Sequence, residues 1–262
     1  MDKQFSRYIG IDYSGSATPR DRLSGLQAYK SCGAGSAERQ FPPASESGRI
    51  TRWNRFELYD WLGAELCGEG PCVVGIDHGF SFPDAYFQRH TLASWDELLI
   101  DFAAHWPTDR DGITVERVRR KQRGKDKRSG DPSELRLTEQ WTASAKSVFQ
   151  FDVQGQVATS THAGLPWLRR LREKFGSALH FWPFDGWEIA PGRSVVAEVY
   201  PSLLRKRYPR GDRTVDQQDA YSVCRWLAEM DRRDALERFF QPPLTASERK
   251  VAHREGWILG VC

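Results

Sequence analysis

The chain has 262 residues, 39% apolar and 28% charged, with a formal net charge of only +3. A chain this long buries roughly three quarters of its unfolded surface, so one domain, or one domain carrying an insertion, folds without disulfides or a structural metal. The composition is that of an ordinary soluble globular protein, no run of eighteen apolar residues offers a membrane span, and the small net charge predicts no partner by itself.

In chain order, "YIGIDYSGS" (Tyr8 to Ser16) predicts a short buried strand running into a turn. "GLQAYKSCG" and "AERQFPPA" are extended candidates that would complete an antiparallel meander. "RWNRFELYDWLGAEL" places Trp53, Phe56, Leu58, Trp61, Leu62 and Leu66 near helical spacing. "CVVGID" is a β-branched run without polar alternation, as expected of a central strand covered on both faces. "SWDELLIDFAAHW" predicts a helix capped by Ser94, with Glu97 completing a capping box.

The segment from Arg117 to Asp131 carries eight Lys or Arg against Asp126 and Asp131. It lacks apolar periodicity and reads as an exposed basic loop or arm within an insertion around 110–160. Arg119, Arg120, Lys121, Arg123 and Lys125 are its candidate phosphate contacts, because each phosphate neutralised releases counterion. Ser129 to Ser160 resists assignment. "TSTHAGLPW" gathers hydroxyls beside His162 and reads as a cleft lining or a capped turn. "LPWLRRLREKFG" predicts an amphipathic helix closed by Gly176. "ALHFWPF" and "SVVAEVYP" predict two more strands, the second delivering Glu198 near its end. "TVDQQDAYSVCRWLAEM" predicts a helix with Val215, Ala220, Val223, Trp226 and Leu227 on one stripe. Strands first, then strands alternating with helices, imply an α/β domain with a mixed sheet.

Ten scattered Trp read mainly as core anchors, with a few as possible base-stacking platforms. Five Cys form no CxxC and no zinc-finger spacing, which fits a reduced intracellular protein. The N-terminus "MDKQFSRYIGID" lacks a signal-peptide core, so a cytoplasmic location is expected.

Four segments offer carboxylates at element ends or on a helix face: Asp12, Asp77, Glu198 and the pair Asp216/Asp219. The i,i+3 pair shares one helical face with Cβ atoms about 5–6 Å apart. At about 4 Å and an effective dielectric near 20, two like charges repel by about 4 kcal/mol. A hard divalent cation, Mg²⁺ or Mn²⁺, removes that cost. Two such ions can clamp a phosphodiester for hydrolysis. Each acid also has a plainer reading as a turn former, an N-terminal helix acid or an arginine partner.

"GIDYSG", "GIDHGFSFP", "AEVYPSLL" and "DQQDAYSV", in that order, resemble the ribonuclease H-like superfamily, above all the predicted nucleases catalogued as domain of unknown function 429. "REGWILGV" (Arg254 to Val261) resembles that family's C-terminal tail, and Asp216 to Ala220 is similar to the D-x-x-D-A of RuvC-type junction resolvases. The resemblance implies one ribonuclease H-like domain over 1–262, with a five-stranded mixed sheet in the order 3-2-1-4-5 flanked by helices. It implies Asp12, Asp77, Asp216 and Asp219 as metal ligands, Asp12, Asp77, Glu198 and Asp219 as catalytic, and a nucleic-acid substrate. His78, where family members often carry a small or apolar residue, is a further candidate substrate contact, ligand or proton carrier, with a buried or partly exposed structural histidine as the plainer reading. Two rivals stand beside this reading. One is a non-catalytic nucleic-acid- or partner-binding module on the same fold. The other is an actin- or sugar-kinase-like phosphotransferase using "DHGFS" (Asp77 to Ser81) as a phosphate cradle.

Overall fold

The computed structural model describes residues 4–43, 50–121, 128–142 and 144–262. Six strands form one mixed sheet: β1 (Arg7–Asp12), β2 (Gln27–Cys32), β3 (Glu38–Arg39), β4 (Cys72–Asp77), β5 (Leu179–Trp182) and β6 (Ser194–Glu198). Their order is β3-β2-β1-β4-β6-β5, with β2 antiparallel to β1 and β3, and β1, β4, β6 and β5 mutually parallel. Among the described residues the sheet thus has six strands, not the expected five. β6, whose Val195 to Glu198 are all buried, lies beside β4 and has a second neighbour on its outer side. β5, itself wholly buried, supplies the outer one.

Helices cover both faces. α1 (Arg55–Leu66), α3 (Trp95–His105) and α6 (Ala158–Phe175) pack on the face that carries Ile9, Ile11, Val74, Ile76 and Val196. α7 (Val215–Arg232) and α8 (Leu236–Phe240) pack on the face that carries Tyr8, Val73, Val195 and Ala197. Short helices α2 (Asp84–Arg89), α4 (Val115–Lys121) and α5 (Leu137–Trp141), with the terminal α9 (Ala246–Glu255), complete the described chain. The alternation of the strands thus sorts the apolar residues into two cores. Trp53, Trp106, Trp182 and Trp257 are among the largest fully buried side chains, whereas Trp141 is exposed. Among the described residues, no helix is long and apolar enough to cross a membrane.

Two helices differ from expectation. α6 begins at Ala158, well before "LPWLRRLREKFG", and runs through Pro166. Proline cannot donate to the carbonyl four residues back. That carbonyl, on His162, instead accepts from the Thr108 hydroxyl at 2.8 Å, so the helix continues. α4 puts a helix inside the supposed basic arm, because Val115 and Val118 lie three apart and both enter the core.

Candidate functional site

The two Gly-Ile-Asp runs lie side by side. β1 and β4 pair in parallel with Gly10 opposite Gly75, Ile11 opposite Ile76 and Asp12 opposite Asp77. Adjacent strands are about 4.8 Å apart, so the two carboxylates leave neighbouring strand ends on the same face. The glycines two residues earlier share that face. A Cβ on Gly10 would lie 2.2 Å from the Ala220 carbonyl oxygen and 2.5 Å from the Cys224 nitrogen, and one on Gly75 would lie 2.7 Å from Val223. The glycines therefore let α7 sit directly on the sheet. With Ala220 over Gly10, the preceding turn of α7 brings Asp216 and Asp219 over Asp12 and Asp77.

Within the Asp216-Gln217-Gln218-Asp219-Ala220 run, the three central side chains each have a structural partner. Gln217 completes a capping box with Thr214 at the N-terminus of α7. The buried Gln218 side chain donates to the Tyr208 carbonyl at 2.9 Å and accepts from Arg213 Nε at 2.8 Å, pinning the preceding loop to the helix. Asp219 accepts both Nε (2.7 Å) and Nη2 of Arg205.

Electrostatics reports the crowding of these acids. Burial, and after it the charges of Asp77, Asp216 and Asp219, hold the Asp12 carboxyl well above the usual carboxylate range. Burial, then Asp219 and Glu198, push Asp77 up to about 8. Asp216 is raised by burial and by Asp219. Arg205 offsets part of the effect at all three. Carboxylates so short of positive charge are the hard oxygen donors that Mg²⁺ or Mn²⁺ takes, and by donor chemistry the residues fit such an ion. As the side chains stand, however, no group of three or more His, Cys, Asp or Glu among the described residues is placed to hold one. Asp219 is turned to Arg205.

Glu198 is not in this cluster. Its register partner on β4 is Ile76, so its side chain leaves the sheet on the face opposite to Asp77. There Arg136 grips both oxygens (Nη1 2.7 Å, Nη2 2.6 Å), and the Phe80 amide donates at 2.9 Å. Arg136 also binds Glu139, and all three side chains are almost fully buried. Glu198 thus holds Arg136 and the turn after β4, rather than presenting a free carboxylate to metal or substrate. Arg136, from the stretch that resisted assignment, was not legible. Its acid partners lie 3 and 62 residues away, and it also donates to the Glu255 carbonyl, 119 residues away.

His78 is likewise corrected as a substrate contact. It is buried between Tyr13 and Phe80, and its Nδ1–H donates to the Gly79 carbonyl at 2.9 Å. Burial pushes it down to about 4, so it is neutral near pH 7. A Cβ on Gly164 of α6 would strike its ring, which explains that glycine inside a helix. The "DHGFS" turn makes no phosphate cradle, because the amides of His78, Gly79 and Phe80 are bound to Ile76, Thr161 and Glu198.

The basic contacts are partly engaged. Arg119 forms a two-pronged pair with Asp152 and lies over the Phe151 ring. Arg120 pairs with Glu116 on the surface, and Lys121 is exposed. Arg123 and Lys125 lie outside the described residues. An open cleft of about 240 Å³ leads away from the acids, lined by Asp12, Ser14, Ser16, Thr159, Ser160 and Asp216. The hydroxyl cluster of "TSTHAGLPW" thus borders the site through Thr159 and Ser160, whereas His162 is buried among five aromatic rings.

No protein-family model, curated protein or solved structure matches this chain.

Proposed function

We propose that this chain is a divalent-metal-dependent nuclease on a ribonuclease H-like fold, hydrolysing phosphodiester bonds of a nucleic acid. One observation carries the reading: Asp12 and Asp77 end neighbouring parallel strands in register, beneath the helical turn that bears Asp216 and Asp219. The sheet order through β3-β2-β1-β4, the glycine-seated helix and the order of the motifs along the chain agree with that fold. Asp12 and Asp77 would hold Mg²⁺ or Mn²⁺, with Asp216 and Asp219 completing the set. A bound ion supplies an activated water and charge stabilisation at the phosphoryl group. The chain's own residues fix the acids on rigid strand and helix ends, while the cleft through Ser14, Ser16, Thr159 and Ser160 gives a strand of substrate polar surface beside them.

A second reading, a nucleic-acid- or partner-binding module without catalysis, is favoured by the Arg205 clasp on Asp219, which neutralises one acid internally. Calorimetric titration with Mn²⁺ of the wild type, Asp12→Asn and Asp77→Asn separates them, followed by a substrate screen with and without EDTA. Micromolar to millimolar binding in the wild type, lost in both variants and accompanied by EDTA-sensitive cleavage, supports the nuclease. Absence of binding, or nucleic-acid binding indifferent to EDTA without cleavage, supports the module.

A further inference from the structure

Arg205 lies in the loop between β6 and α7, its side chain 46% exposed while Asp219 is only 7% exposed. Nε and Nη2 bind Asp219, whereas Nη1 has no hydrogen-bond partner among the described residues. The backbone beneath is fixed: the Arg205 amide donates to the Pro201 carbonyl at 2.8 Å, and Gln218 holds the loop at Tyr208. A fixed base with an exposed head leaves the guanidinium free to change partner without refolding the loop. Its planar fork fits a phosphate as well as it fits a carboxylate.

Two charge arguments make that change of partner consequential. A phosphodiester approaching this site is repelled by each of the four carboxylates that is ionised, and Arg205 is the cation that already offsets the field at Asp12, Asp77 and Asp216. With both Asp219 oxygens accepting from Arg205, the guanidinium charge also competes with a metal ion for that carboxylate. We propose that Arg205 is a substrate-contacting residue held in reserve on Asp219, and that its transfer from Asp219 to a phosphodiester oxygen frees Asp219 for the divalent ion. This rests on the metal-centre reading above and adds to it a positive coupling between metal and substrate. Each ligand then tightens the other by the same factor.

The test uses the full chain and two probes, Mn²⁺ alone and a short fluorescent single-stranded oligonucleotide in Ca²⁺, with circular dichroism to verify folding. Arg205→Gln should bind Mn²⁺ about tenfold tighter than the wild type and the oligonucleotide about tenfold more weakly, since one charge-assisted contact is removed in each case. In the wild type the oligonucleotide should raise Mn²⁺ affinity, and in Arg205→Gln that coupling should vanish. Arg205→Lys keeps the charge but loses the two-pronged grip. It should shift both affinities in the same directions, and it carries the test if Arg205→Gln does not fold. Equal Mn²⁺ affinity in wild type and variants overturns the role of Arg205 while leaving the metal centre standing. No Mn²⁺ binding by any of them at millimolar concentrations overturns both.

Discussion

Asp77 and Glu198 end adjacent strands, yet their surroundings give their removal opposite consequences. Burial and neighbouring acids raise Asp77 from 3.8 to about 8. Between those values the folded protein binds more protons than the unfolded chain, so stability falls as pH rises from about 4 through 8. Asp77→Asn removes that loss. It should raise stability at pH 8 by at least about 1.4 kcal/mol, the worth of one pKa unit, and make little difference at pH 4, as thermal melts at the two pH values would show. Glu198 instead sits in a buried two-pronged pair with Arg136. Glu198→Gln should therefore cost about 1.5–3 kcal/mol, the range for hydrogen bonds to charged groups, measured from the urea midpoint. A Glu198→Gln protein as stable as the wild type would mean that the carboxylate does not hold Arg136.

At the scale of elements, the contact between α7 and the glycines of β1 and β4 holds the site together. Gly10→Ala places a methyl group 2.2 Å from a helix carbonyl, so α7 must shift. The cost expected for overpacking is at least about 1–3 kcal/mol. Mn²⁺ binding should weaken with it, because Asp216 and Asp219 ride on that helix. A lowered denaturant midpoint with unchanged Mn²⁺ affinity would show that the close seating of α7 stabilises the fold without positioning its acids. This contact also explains what the sequence could disclose. Both Gly-Ile-Asp runs and the Asp216/Asp219 helix were legible, because each is written in local residue types: a continuous apolar run, a glycine, an acid, a 3.6-residue stripe. The side of the sheet on which Glu198 emerges was not, since it depends on the register of β6 against β4, which pairs residues far apart in the chain. The start of α6 was hidden because its Pro166 is accommodated by Thr108, 54 residues from the carbonyl it serves. The Arg205–Asp219 clasp spans 14 residues and a loop, a separation at which spacing alone names no partner.

Over the whole molecule, a net charge of +3 hides an uneven distribution, with a basic α4 on the surface and four acids gathered at the strand ends. If α4 contacts nucleic acid, its cations should not contribute alike. Arg119 is tied to Asp152 and stacked on Phe151, so Arg119→Ala should act chiefly by loosening that packing. Arg117 and Lys121 are exposed, and among the described residues Arg120 makes a surface pair with Glu116, of a kind worth about 0.2–1 kcal/mol. Replacing any of these three by Ala should reduce the slope of log affinity against log salt by about 0.7 for a single strand or 0.9 for a duplex, one phosphate's share. Arg119→Ala should lower stability and leave the slope nearly unchanged. Fluorescence anisotropy of an oligonucleotide across a salt series reads all four variants. Identical slopes for the wild type and the Arg117, Arg120 and Lys121 variants would remove α4 from the interface and leave recognition to the cleft beside Asp12 and to Arg205.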